Sequence, residues 1–173
     1  MNGLYLRDAR PSDRSAIEAI TLAAYQQYAA AIPAYWEAYR QNILATLADV
    51  QTAEQIVAER AISIVGTVLL YPAGTVIDTP LGKPIRLPSP EVRLLAVEPA
   101  ARRQGVGGAL MHECSRRARA SGARVLTLHT ADFMQAAIRL YERFGFVRAA
   151  ELDFEPAPGA LLKGYRLRLD DTQ

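Results

Sequence analysis

The stretch VRLLAVEPAARRQGVGGAL, residues 92–110, constrains the fold more than any other segment of this chain. A strand-like apolar run, Glu91–Val97, ends at Pro99, and a helical pattern follows over residues 105–120. The turn between them carries Arg102 and Arg103 beside glycines at 105, 107 and 108. The first backbone N–H groups of a helix have no intrahelical partners, and the helix dipole adds partial positive charge there. Such a helix start is an anion site. Glycines let a bulky anion approach the backbone, and arginine offers forked donors to phosphate oxygens. A glycine-rich strand-to-helix turn can also be purely geometric. Here strand, turn, charge and helix agree on a diphosphate cradle.

Two familiar cradles are excluded by spacing. No Gly-Lys-Ser/Thr follows, so this is not the phosphate loop of nucleotide hydrolases. The glycines at 105, 107 and 108 also miss the dinucleotide fingerprint. The net charge of +2 gives no reason to expect a nucleic-acid partner. Half of the 173 residues are apolar, which is enough for the core of one domain. Cys114 is the only cysteine, so no internal disulfide can form. The longest apolar run, residues 61–73, is too short for a bilayer and contains Gly66 and Pro72. No secretion signal is visible at the start, and a cytoplasmic chain with no membrane partner is the expectation.

The remaining pattern alternates strands and helices. Residues 3–9 predict a strand and residues 13–31 an amphipathic helix, through Ile17, Ile20, Ala24 and Tyr28. Residues 34–48 predict a second helix, with Trp36, Tyr39, Ile43 and Leu47 at helical steps. Residues 55–60 and 61–71 read as a strand hairpin. The proline-rich residues 72–90 read as a loop with a small hairpin inside it. A strand over residues 124–130 precedes a helix that Asp132 and Gln135 would cap and Gly145 would stop. Residues 146–152 and 162–169 close the chain as strands. No histidine–cysteine cluster has metal-ligand spacing, so no metal is expected.

Arg102-Arg103-Gln104-Gly105-Val106-Gly107 resembles the Q/R-x-x-G-x-G/A signature of the GNAT N-acetyltransferase superfamily. AAIRLYERFGF, residues 136–146, is similar to that family's A-x-x-L-Y-x-x-x-G-F segment. The order of elements matches along nearly the whole chain. The resemblance implies a mixed α/β fold, a single GNAT-like domain over residues 1–173. Its central twisted sheet would be mostly antiparallel, flanked by helices on both faces. The sheet would splay between the fourth predicted strand, at 91–97, and the fifth, at 124–130.

The resemblance also implies a co-substrate, acetyl-CoA, and a reaction. Leu95, Ala96 and Val97 would line its pantetheine arm, bonding through main-chain groups as an added strand does. Arg102, Arg103, Gln104, Gly105, Val106, Gly107 and Gly108 would hold its diphosphate. Tyr141 matches the family tyrosine near the thioester sulfur. A thiol of pKa about 8.5 can take a proton from a phenol of about 10 where environment helps. An attacking amine of pKa about 10.4 is almost wholly protonated at neutral pH, so a base helps. His129 and Glu91 are the two candidates for it. Many relatives carry an asparagine seven residues before the tyrosine. This chain has Met134, which cannot donate a hydrogen bond.

The expected activity is acetyl transfer from acetyl-CoA to a primary amine by direct attack on the thioester. Protein N-terminal or lysine acetylation is an alternative, as is a non-catalytic acyl-CoA-binding regulatory module. The acceptor partner is thus a small-molecule or protein amine. Tyr25, Tyr28, Tyr35, Trp36 and Tyr39 could wall an amine through cation–π attraction or simply pack as core. Relatives are often dimers, which makes a homodimer one expectation.

Overall fold

The structure, a computed structural model, describes residues 3–50, 52–79 and 83–169. In chain order the elements are β1 (Tyr5–Asp8), α1 (Arg14–Tyr25), α2 (Trp36–Ala48), β2 (Glu54–Arg60) and β3 (Ser63–Tyr71). Then come β4 (Val76–Ile77), β5 (Ile85–Arg86), β6 (Glu91–Val97), α3 (Val106–Ala120) and β7 (Val125–Thr130). The chain ends with α4 (Gln135–Phe144), β8 (Val147–Arg148) and β9 (Lys163–Arg168). Seven strands form one sheet in the order β1-β2-β3-β6-β7-β9-β8, and β4 and β5 form a separate small hairpin. The β6–β7 pair is parallel, whereas β1–β2, β7–β9 and β8–β9 are antiparallel. This is the mixed α/β, mostly antiparallel sheet expected, with β6 and β7 as the fourth and fifth predicted strands. No helix among the described residues is long and apolar enough to cross a membrane.

The chain forms two compact units. The first holds the described residues up to Leu69, with Leu94–Glu113. Ile17, Ile20 and Ala24 bury one stripe of α1, and Ile43 and Leu47 one stripe of α2. Ile56, Val57 and Ala58 are buried in succession, as are Val65 to Leu69 of β3, so both faces of these strands are covered. Each such isoleucine or leucine contributes ~2 kcal/mol through burial. Arg7 ties three elements together, donating to Asp13 at 2.7 Å and to Glu59 at 2.8 Å. The Arg7 guanidinium holds the buried Asp13 carboxyl below its usual range, aided by the Arg10 N–H.

The predicted first helix is interrupted. After Tyr25 the chain tightens into a 3₁₀ turn over Gln26–Ala31. The Ala24 carbonyl is taken by two side chains, Gln27 Nε2 at 2.7 Å and Arg102 Nη2 at 3.2 Å. Those donors compete for the acceptor that the next α-turn would use.

The second unit holds Leu70–Arg93 and the described residues from Cys114 onward. Six registers pair β7 with β9, from Val125↔Arg168 to Thr130↔Lys163. Leu126 and Leu128 bury one face of β7, and Tyr165 and Leu169 are buried at β9 and its end. The predicted small hairpin in the proline-rich loop is β4–β5. The expected strand at 146–152 shrinks to β8, because the chain turns into a 3₁₀ segment at Ala150–Leu152 and crosses over β9. The Asp132 cap does not form. Met134 is the cap residue of α4, and the Gln135 side chain donates back to the Asp132 carbonyl.

Candidate functional site

In the first unit, the predicted cradle occupies the turn before α3. Residue 105 has φ +81°, a value that favours glycine, and Arg103 takes +60°. The helical ladder begins with Ala109 N–H donating to Gly105 O at 3.0 Å. The N–H groups of Val106, Gly107 and Gly108 lie outside that ladder. A Cβ added at Gly105 or Gly108 would meet nothing within 4 Å, so the backbone there faces open space. Arg103 is exposed. The residues present therefore fit a bulky anion such as a diphosphate.

Two of the predicted cradle side chains are engaged by other parts of the chain. Arg102 donates to the Ala24 carbonyl, and Gln104 donates to the Ala100 carbonyl at 3.0 Å. Gln104 also accepts from Arg60 at the end of β2. These bonds hold the shape of the turn, and Arg103 stays exposed beside it. Arg60 is a contributor that the sequence reading missed. A lone arginine at a hairpin tip gives no signal of it.

The strand before the cradle is distorted at Leu94. Leu94 takes φ +49°, costly for a residue with a Cβ, and the strict burial alternation is lost across Arg93, Leu94 and Leu95. The parallel ladder with β7 runs over two registers only, Glu91↔Thr127 and Val92↔Leu128. That short ladder fits the predicted splay. Ala96 is buried, and Leu95 and Val97 are half-buried.

The second unit brings Glu91 and His129 together. Glu91↔Thr127 is the register pair, and His129 lies two residues further along the same strand face. Glu91 is only 3 % exposed. Its carboxylate accepts from Thr127 Oγ1 at 3.1 Å and from His129 Nδ1 at 2.9 Å. His129 Nε2 lies 2.7 Å from the Leu152 carbonyl. A carboxylate and a carbonyl both accept, so the ring donates from both nitrogens and is an imidazolium. In this arrangement the ring keeps no lone pair with which to take a proton. Burial pushes the His129 pKa down, but the Glu91 hydrogen bond and charge and the Leu152 carbonyl outweigh it, and the net shift is upward.

The Leu152 carbonyl reaches His129 because Gly164 lets the segment cross. Gly164 sits opposite His129 in the ladder, and a Cβ there would overlap Leu152. Arg148 clamps Asp153, and Asp153 accepts the Gly164 N–H at 2.9 Å. The Phe154 ring meets the His129 ring edge-on at 4.9 Å. A glycine interrupting a strand pattern was the available signal for this close approach. Glu91, Thr127 and His129 border a cleft of about 310 Å³, whose other walls include Ile85, Leu87 and Phe154.

His129 makes stability depend on pH. The unfolded ring titrates near 6.5 and the folded ring higher, so the folded state holds the extra proton between those values. The stabilisation is fully present below about pH 6.5 and is lost as pH rises through the folded value. The midpoint of denaturant unfolding is expected to fall between pH 6.5 and 9 in the wild type and to stay flatter in His129→Gln. Equal slopes in the two proteins would contradict this assignment of charge.

Tyr141 lies on α4, 7 % exposed, with its ring 6.0 Å from that of Phe146. The helix stops where predicted. Gly145 is left-handed, and Phe146 N–H bonds back to the Tyr141 carbonyl at 3.0 Å. Met134 is buried at the start of the same helix.

A family model described as the acetyltransferase (GNAT) family matches residues 16–146, a span that includes both signature segments. The chain belongs to the GNAT acetyltransferase family. Solved GNAT folds resemble it along almost their full length. A GNAT acetyltransferase from Brucella melitensis, in complex with acetyl-CoA, has TM-score 0.62 at 21 % identity, covering 100 % of this chain and 92 % of that one. The PaiA N-acetyltransferase of Thermoplasma acidophilum, in complex with coenzyme A, has TM-score 0.71 at 14 % identity, with coverage of 96 % and 99 %. A ribosomal-protein alanine N-acetyltransferase from Escherichia coli has TM-score 0.66 at 16 % identity, with coverage of 99 % and 97 %. At these identities the likeness speaks for the GNAT fold. No curated protein matches the chain in sequence.

Proposed function

We propose that this GNAT protein transfers an acetyl group from acetyl-CoA to a primary amine, by direct attack of the amine on the thioester. The observation that carries the reading is the family signature at the start of α3. There three N–H groups lie outside the helical ladder and open space faces Gly105 and Gly108. Acetyl-CoA supplies an activated thioester. The N–H groups of Val106, Gly107 and Gly108, with Arg103, hold the diphosphate. The main chain of Leu95, Ala96 and Val97 bonds the pantetheine arm, and Arg102 and Gln104 keep the turn in shape.

Glu91 takes the proton that the amine must lose. Its two oxygens accept one hydrogen bond each and retain further lone pairs, whereas both ring nitrogens of His129 are committed as donors. His129 is then a positioning residue, aiming the carboxylate and balancing its charge. The Tyr141 phenol supplies a proton to the departing thiolate.

Thermal denaturation with increasing CoA and acetyl-CoA, followed by thiol release against a panel of amines, tests this reading. Midpoints are expected to rise with ligand concentration. Tyr141→Phe is expected to lower kcat about a hundredfold with little change in CoA affinity. A protein that neither gains stability with CoA nor releases thiol with any amine would refute the proposal.

A further inference from the structure

We infer that the cleft beside Glu91 is the acceptor site and that it selects a small monoamine carrying an apolar alkyl or arylalkyl group. This deepens the acetyl-transfer reading and rests on it. The cleft holds about 310 Å³, the low end of the range for small-molecule sites, so it admits a compact group. Its walls include the apolar side chains of Ile85, Leu87, Pro88, Leu152 and Phe154. Of the three carboxylates lining it, Glu91 alone is almost wholly buried. Apolar walls around a single buried acceptor fit an amine with an apolar body.

The two other carboxylates on the cleft already hold arginines, and this sets the limit on the ligand's own charge. Glu151 pairs with Arg166 at 2.7 Å, and Asp153 pairs with Arg148. Arg86 donates to the Gly74 carbonyl at 2.9 Å. A second ammonium, as in a polyamine, would compete with arginines for carboxylates they already hold. An amino acid's carboxylate would find His129 already held by Glu91, leaving Arg86 as the one other cation in the lining, beside three carboxylates. Both are therefore rejected relative to an uncharged apolar substituent.

The test uses the full chain with saturating acetyl-CoA, reading thiol release. The panel is phenethylamine, butylamine, spermidine, free lysine and a lysine-containing peptide. We expect kcat/KM for phenethylamine and butylamine at least tenfold above that for the other three. Phe154→Ala and Ile85→Ala, each removing one apolar lining side chain, are each expected to raise KM for phenethylamine about tenfold while KM for acetyl-CoA stays put. Unfolding midpoints of both variants confirm that they are folded. Preference for spermidine, lysine or the peptide would overturn the inference while leaving acetyl transfer intact. So would variants that leave the amine KM unchanged. Absence of CoA binding by calorimetry in the wild type would overturn both.

Discussion

Replacing Glu91 by glutamine is expected to lower kcat between a hundredfold and ten-thousandfold, the span that a lost general base covers. Glutamine keeps the shape of glutamate, so packing around this buried residue is preserved. Its amide cannot take a proton from the amine, which is the larger effect. The amide also has one acceptor oxygen where the carboxylate had two. Thr127 Oγ1 and His129 Nδ1 both now donate to Glu91, and Thr127 Oγ1 has a second acceptor in the Pro90 carbonyl at 3.2 Å. The hydroxyl can rotate, whereas the ring cannot. With no carboxylate beside it, the imidazolium loses the main cause of its raised pKa. The variant is therefore expected to show both a slow turnover and a His129 ring that titrates at lower pH by NMR. A kcat within a factor of three of the wild type would remove Glu91 from the proton path. An unchanged ring titration would remove it from the pair.

The second large effect is expected at Gly164. Alanine there adds one carbon that overlaps Leu152 Cβ and lies 2.9 Å from the Ala149 carbonyl oxygen. The second of these is backbone, so no side-chain rotation relieves it. The Gly164 carbonyl also accepts from Ala149 N–H at 2.9 Å and from Arg148 at 3.0 Å, which fixes the crossing segment in place. Gly164→Ala is expected to destabilise the fold by about 3 kcal/mol, the upper end for overpacking in a close-fitting site. Where the segment lifts, the Leu152 carbonyl leaves His129 Nε2 and the ring pKa falls. Denaturant unfolding measures the first consequence and ring titration the second. A variant as stable as the wild type, with its ring unchanged, would show that the crossing is loose.

Much of the fold was legible because its signals are local. The helical spacing of Ile17, Ile20 and Ala24, the left-handed stop at Gly145, and the strand-turn-helix at 91–110 each depend on residues within a few positions of one another. The 3₁₀ turn after Tyr25 was not legible, since one of its causes, Arg102, lies 78 residues from Ala24. The capping of α4 went wrong for a related reason. Asp132 and Gln135 have the right spacing, but Met134 occupies the cap, and the spacing alone does not say where the first turn closes.

The candidate site divides in the same way. The proposed anion cradle follows from the chain order of arginines, glycines and a helix start, because unpaired N–H groups and missing Cβ atoms are properties of the segment itself. The sequence by itself determined that strand-turn-helix geometry, the two family segments and the alternation of elements. Tertiary structure alone decided that Glu91 meets His129, 38 residues away, through a parallel register only two pairs long. It decided too that Leu152, brought across Gly164, closes off the second ring nitrogen. Charge state and proton-accepting power depend on what surrounds a group in space, and that is set by register and packing between distant segments, which no local pattern encodes.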